Sequence, residues 1–259
     1  MPDMDFLPLL PVGISPLVSG LLVATSFLTA AITATFGLGG GMILLAVLLA
    51  FMNPAMAIPV HGVLQAGANA ARAWLMRRDV LRDVFLWFLP GSLVGVALAS
   101  VVVVELPARW LTLALAAFIL WSVWGGRPSP RALVPRRFVL VGTLVAFLTM
   151  FLGATGPVLA TFLSPERYGR HATVATHGAC MLVQHLMKVV AFTLLGFSIA
   201  DWAAQVGAML ASGVLGSVLG RSLLRRMPEA MFRHGFRVVM TALALRMLWK
   251  VLFPGEPVG

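Results

Sequence analysis

Apolar runs of about the length needed to cross a bilayer, roughly 20 residues, succeed one another along this chain with short polar links between them. They read as 16–36, a shorter 39–52, then 57–77, 84–104 and 108–124, followed by 137–152, a short 156–164, 172–196, 200–220 and 233–252. In hydrocarbon every backbone N–H and C=O has to be paired within its own segment, so such runs fold as helices. Composition agrees: 60% of the 259 residues are hydrophobic and 11% charged, where a soluble domain carries about a quarter charged residues. The chain therefore reads as an all-α polytopic membrane protein with no room for a soluble domain. Asp3 and Asp5 stand where a signal peptide needs basic residues, so a cleaved leader is not expected. The single cysteine, Cys180, cannot close an intramolecular disulfide. No CxxC or His/Cys metal spacing is present, and neither a metal nor another cofactor is expected.

Two of these runs are interrupted by glycine at matching places. Phe36-Gly37-Leu38-Gly39-Gly40-Gly41 and Leu152-Gly153-Ala154-Thr155-Gly156-Pro157 coincide when the chain is slid by 116 residues. The same shift lays Thr33 on Thr149, Gly40 on Gly156, His61 on His177, Gly62 on Gly178, Arg72 on Lys188 and Gly91 on Gly207. Matched glycines mean little among 25 of them, but matched histidines are informative when there are only five. The chain divides accordingly into an N-terminal tail (1–15), a first transmembrane repeat (16–126), a cytoplasmic linker (127–136), a second repeat (137–252) and a C-terminal tail (253–259). A broken hydrophobic segment repeated in two halves points to the binding site of a transporter.

The net charge of +10 is confined to alternate links. Arg77, Arg78 and Arg82 share one, Arg127, Arg131, Arg136 and Arg137 the next, and Arg221, Arg225, Arg226, Arg233 and Arg237 a third. The links between them hold only Glu105 with Arg109, and Asp201. Such a pattern orients helices at a lipid surface, with the basic links cytoplasmic, and gives no reason to expect nucleic acid. It also makes 84–104 run outward and its partner 200–220 inward, so the halves are inverted. The fold expected is two inverted-topology repeats of about four to five helical segments each, each carrying a Gly-broken helical hairpin. Arg246 and Lys250 fit this frame less well, because it places the C-terminus outside. Seven tryptophans, Trp74, Trp87, Trp110, Trp121, Trp124, Trp202 and Trp249, fall near segment ends, where aromatic belts form.

A helix that restarts after a break presents free N–H groups and the positive end of its dipole, which suits an anion. Gly39, Gly40 and Gly41 would start one short helix and Gly156-Pro157 the other. Glycines in membranes also serve simply to let helices approach, and both readings stand at this point. The runs that follow add polar stripes. His61, Gln65, Asn69 and Arg72 share one helical face, as do His177, Gln184, His185 and Lys188. Arg72 and Lys188 could equally snorkel to opposite surfaces. All nine acidic residues lie at segment ends or in links, so a cavity between the stripes would be neutral to positive.

The Gly-rich break with its short apolar helix, and GATGP followed by Arg170-His171-Ala172-Thr173-Val174-Ala175-Thr176 with Lys188 beyond, resemble the TauE/SafE family of sulfite-exporter-like transporters. The resemblance spans about residues 15–252 and implies a bacterial inner-membrane, multi-pass exporter of sulfite, organosulfonates or related small anions. It implicates Gly37, Gly39, Gly40, Gly41, Gly153, Thr155, Gly156 and Pro157. The second motif departs from the first, being GATGP and not another GLGGG. The expected mechanism is alternating access, with His61, Gln65 and Asn69 meeting His177, Gln184 and His185 around the anion. Arg72 and Lys188 would supply positive potential on opposite approaches. Expected partners are the lipid bilayer and a small anionic substrate, with a homodimer left open. A membrane-embedded enzyme would need a nucleophile, a base and an electrophile. A sulfur relay would have Cys180 alone to carry a group.

Overall fold

The computed structural model describes residues 14–36, 39–103, 107–125, 133–163, 165–224 and 229–253. Gly37, most of the linker and nearly all of both tails lie outside them. Among the described residues the chain forms α1 (Pro16–Phe36), α2 (Gly40–Phe51), α3 (Pro54–Leu75), α4 (Arg82–Val103) and α5 (Ala108–Trp124). It continues with α6 (Phe138–Leu152), α7 (Gly156–Ala160), α8 (Pro165–Tyr168), α9 (Arg170–Leu194), α10 (Ala203–Leu224) and α11 (Glu229–Leu252). No strand occurs among the described residues. Five of the helices are long and apolar enough to cross a membrane. The polar stripe of α3 keeps it off that list, although it has 22 residues.

Local chemistry sets the boundaries. Asn53 caps α3 through its side-chain oxygen, which accepts from the Met56 N–H at 3.0 Å, and Pro54 occupies the first turn, where no N–H is needed. Gly39 and Gly153, at φ of 101° and 68°, turn the chain at the two breaks in a region closed to other residues. The second break differs from expectation. The run 156–164 does not form one short helix: α7 has five residues, and Pro165 opens the separate four-residue α8. Proline lacks the N–H that would continue a preceding helix. The first break is followed by a regular α2 of 12 residues.

Helices from the two halves pack against each other. In α4 and α6 the backbones nearly touch. A Cβ on Gly91 would lie 1.9 Å from the Val139 carbonyl oxygen, and one on Gly95 2.2 Å from that of Thr143. Residue numbers rise together along this contact, so α4 and α6 are parallel. Helices α1 and α10 are parallel by the same criterion and are joined by hydroxyls, the usual glue between membrane helices. Ser26 donates to the Met209 carbonyl at 2.7 Å, Ser212 to that of Val23 at 2.8 Å, and Ser19 pairs with Gln205. Helices α3 and α9 are antiparallel, with Gly62 facing Lys188 and Gly178 facing Arg72. Helix α2 sits centrally, burying Leu44, Leu45 and Leu48 against Ile58, Met150 and Met209 in the main core.

Two sequence oddities resolve here. The Lys250 ammonium donates to the Ala50 carbonyl at 3.0 Å, and the Arg246 guanidinium lies 5.7 Å from the centre of the Phe51 ring. Both cations sit at the C-terminus of α2, where unpaired carbonyls and the negative dipole end favour them. Trp202, expected in an interfacial belt, is buried in the main core, unlike the exposed Trp74, Trp87, Trp110, Trp121, Trp124 and Trp249.

Candidate functional site at the glycine breaks

One cavity of about 60 Å³ opens where the two breaks meet α3 and α9, room for a few water-sized groups. Thr33 of α1 contributes to its wall. The first break supplies Gly39, Gly41 and Met42, and α3 supplies His61, Gln65, Asn69 and Arg72. Ala154, Gly156 and Pro157 come from the second break, and His177, Met181 and His185 from α9. All four residues of the first stripe face this space because they recur at helical spacing on α3.

The matched histidines make matched bonds. His61 donates from Nε2 to the Gly41 carbonyl at 2.9 Å, and His177 from Nε2 to the Gly156 carbonyl at 3.0 Å. Each thus ties a long helix to the start of the short helix beyond a break. The rings of His61 and His185 stand edge to face, 5.6 Å apart at 78°. The Nδ1 of His185 has no hydrogen-bond partner among the described residues. Asn69 donates to the Gln65 carbonyl at 2.8 Å, and Thr33 to that of Thr29 at 2.9 Å.

The matched cations behave differently. Arg72 lies alongside Gly178, where an added Cβ would be 3.0 Å from its Cδ, and the residue forms part of the cavity wall. Among the described residues it has neither a hydrogen bond nor an ion pair. Lys188 lies alongside Gly62 in the same way, with its Cε 2.8 Å from where a Cβ would be, but it is completely buried off the cavity. Its ammonium donates to the Gly153 carbonyl at 3.1 Å, at the C-terminal end of α6. That is the negative end of a helix dipole. Among the described residues no aspartate or glutamate lines the cavity.

Lys188 is thus one of several expected site residues that do not line it. Gly40 lies beneath α1, where a Cβ would be 1.9 Å from the Thr29 carbonyl oxygen. Gly153 turns the chain, and Thr155 is buried in a hydrogen bond with Thr149. Gln184 is fully buried outside the cavity, with neither amide atom partnered. It is adjacent in sequence to His185, and neighbours on a helix point about 100° apart, so the two cannot both face the cavity centre. Thr33, Met42, Ala154 and Met181 line the wall without having been anticipated as site residues. The coincidence of Thr33 with Thr149 in the repeat was the one signal for the first of them. Cys180 is buried among Val84, Phe88, Phe138, Val141 and Leu159, and packs there as a small apolar side chain.

A small half-enclosed space lined by Arg72 and by histidine and amide side chains, with no carboxylate among the described residues that line it, is suited to hold an anion. The chain matches the family model described as sulfite exporter TauE/SafE over residues 22–247. No curated protein and no solved structure matches it. With the match covering most of its length, the chain is a multi-pass membrane protein of the TauE/SafE sulfite exporter family.

Proposed function

We propose that this protein exports a small anion, such as sulfite, an organosulfonate or a related oxyanion or organic acid, across the bacterial inner membrane. The observation that carries the proposal is Arg72, a cation at the wall of an intramembrane cavity with no counter-ion among the described residues. A charge so placed is costly unless paired, and a bound anion supplies the pair. His61, His177 and His185, with Gln65 and Asn69, complete a lining of polar groups around it.

Alternating access between inverted repeats is the transport mode proposed. Three contacts support it. The repeat shift lays α3 on α9 over nearly all of its length, yet the two helices run in opposite directions. The shift also exchanges the contact of Gly62 with Lys188 and that of Gly178 with Arg72. Likewise it converts the pairing of α1 with α10 into that of α6 with α4. With the Arg-rich links cytoplasmic, the wall from Gln65 to Arg72 lies on the cytoplasmic side of the breaks, and the sealed Lys188 lies on the other. The arrangement is that of an inward-facing state. An inside-negative potential drives a monovalent anion outward by about 2.3 kcal/mol per 100 mV, so export needs no coupled ion.

The test is anion flux in proteoliposomes at a set membrane potential, with sulfite, sulfoacetate, isethionate, sulfate and acetate compared against empty liposomes and Arg72→Gln. Selective, potential-driven flux that is lost in Arg72→Gln is the expected outcome. Equal flux in the variant would remove Arg72 from the site, and no flux of any anion through folded protein would overturn the transporter assignment to small anions.

A further inference from the structure

We infer that the cavity takes an anion with two unlike ends, its oxygen-bearing head held at the first break and a small apolar group set against the second. This rests on the anion-export reading above and narrows its substrate. The repeat shift lays Gly41 on Pro157 and Gln65 on Met181, and all four residues line the cavity. Gly41 and Pro157 are each the second residue of a helix, of α2 and of α7. A backbone N–H at that position has no acceptor within its own helix and is left for a ligand. Gly41 has such an N–H, and Pro157 has none.

The side chains change in the same sense. The Gln65 carboxamide lies directly over Gly41, with Nε2, Cδ and Oε1 3.0 to 3.1 Å from where a Cβ would stand. Its backbone carbonyl accepts from Asn69, but the carboxamide itself makes no hydrogen bond among the described residues. Met181 offers in its place a thioether, which donates nothing and accepts weakly, and Ala154 of the second break adds only a methyl group. Asn69 and His185, matched by the same shift, are polar in both halves, and His61 and His177 each bond a break carbonyl, so neither pair distinguishes the ends. Met42 is the apolar side chain that the first break contributes. Anion oxygens find donors at Gly41 and Gln65. A polar group turned towards Pro157, Ala154 and Met181 loses water and gains no partner, which is costly, whereas a methyl group there buries apolar surface. The cavity volume of about 60 Å³ keeps that apolar end small.

The test compares methanesulfonate with sulfamate at a single pH. Both are tetrahedral, monovalent and of similar size, and they differ in carrying a methyl or an amino group opposite the oxygens. Binding is read from thermal stabilisation of the purified full-length protein in detergent over a concentration series. Methanesulfonate should bind at least about fivefold more tightly than sulfamate. Met181→Gln, which gives the second half the side chain of the first, should bring the two within about twofold of each other, and Met181→Leu should keep the preference. Ala154→Ser adds a smaller polar group to the same wall if Met181→Gln does not fold. Gln65→Leu should weaken both anions alike and leave their ratio unchanged, since its carboxamide serves the head that they share. Sulfamate binding as tightly as methanesulfonate, or a preference that survives both polar substitutions, would overturn the two-ended site and leave anion export standing. Stabilisation by neither anion, nor by any anion of the flux panel, would overturn both.

Discussion

The two glycine breaks share one sequence plan and end in different structures. After the first, a regular helix of 12 residues runs into the core, and the stripe on α3 ends in an Arg72 that faces the cavity. After the second, the helix lasts five residues, and the matched cation, Lys188, is buried against the carbonyl of its own break. The histidines, by contrast, do the same thing in both halves, each bonding a carbonyl at the start of a short helix. The two halves therefore agree in what holds the breaks in place and differ in what lines the cavity. An inverted repeat caught in one state of an alternating cycle would show this combination, because the two-fold relation that links the halves is broken by opening on one side only.

The sharpest way to break the comparison is to remove the two cations separately. Arg72→Gln should weaken anion binding at least about 30-fold, the scale of losing one partner of a close charge pair. Lys188→Met should leave binding within about threefold, because replacing a buried ion by an apolar group of similar size is often neutral for the fold. Under the alternating-access proposal its flux should still fall. Ligand-dependent melting and proteoliposome flux, measured on both variants, separate the two effects, and equal binding loss in both would erase the asymmetry.

The glycines offer a second contrast. Gly40→Ala forces a Cβ to 1.9 Å from a backbone oxygen of α1 and should destabilise the protein by about 2–4 kcal/mol, whereas Gly156→Ala meets only His177 Nε2 at 3.5 Å and should cost under about 1 kcal/mol. Melting temperatures in one detergent check the ranking. A smaller effect sharpens the assignment of sides: in a Cys180→Ala background, Arg72→Cys should react with a water-soluble thiol reagent at least about tenfold faster than Lys188→Cys, as access governs thiol reactivity. The smallest expected change is in Cys180→Ala itself. Its flux should stay within about twofold of the parent protein, since a packed thiol has no part in the site, and a large loss would reopen the relay alternative.

Much of this was legible from residues. Bilayer-length runs located ten segments, nine of which became helices with ends within four residues of the reading, because apolar length is dictated by membrane thickness and not by packing partners. The four α3 side chains of the cavity were equally legible, as their spacing places them on one face whatever surrounds the helix. The second stripe was less so. Gln184 and His185 are neighbours, and only packing against α9 decides which of them meets the cavity. Lys188 could not be placed from spacing at all, since a flexible stem can carry its ammonium to water, to the cavity or, as found, to a backbone carbonyl.

From its sequence alone this chain is a helical membrane protein with two broken, matching halves and no acidic group between them, because hydrophobic length, glycine and charge distribution act locally and need no partner to be read. Tertiary structure alone decided that Lys250 caps α2, that Trp202 is core and that one matched cation lines the cavity while the other is sealed. Each of those outcomes depends on which distant carbonyl or apolar surface a side chain meets. That is set by how the helices of the two halves pack.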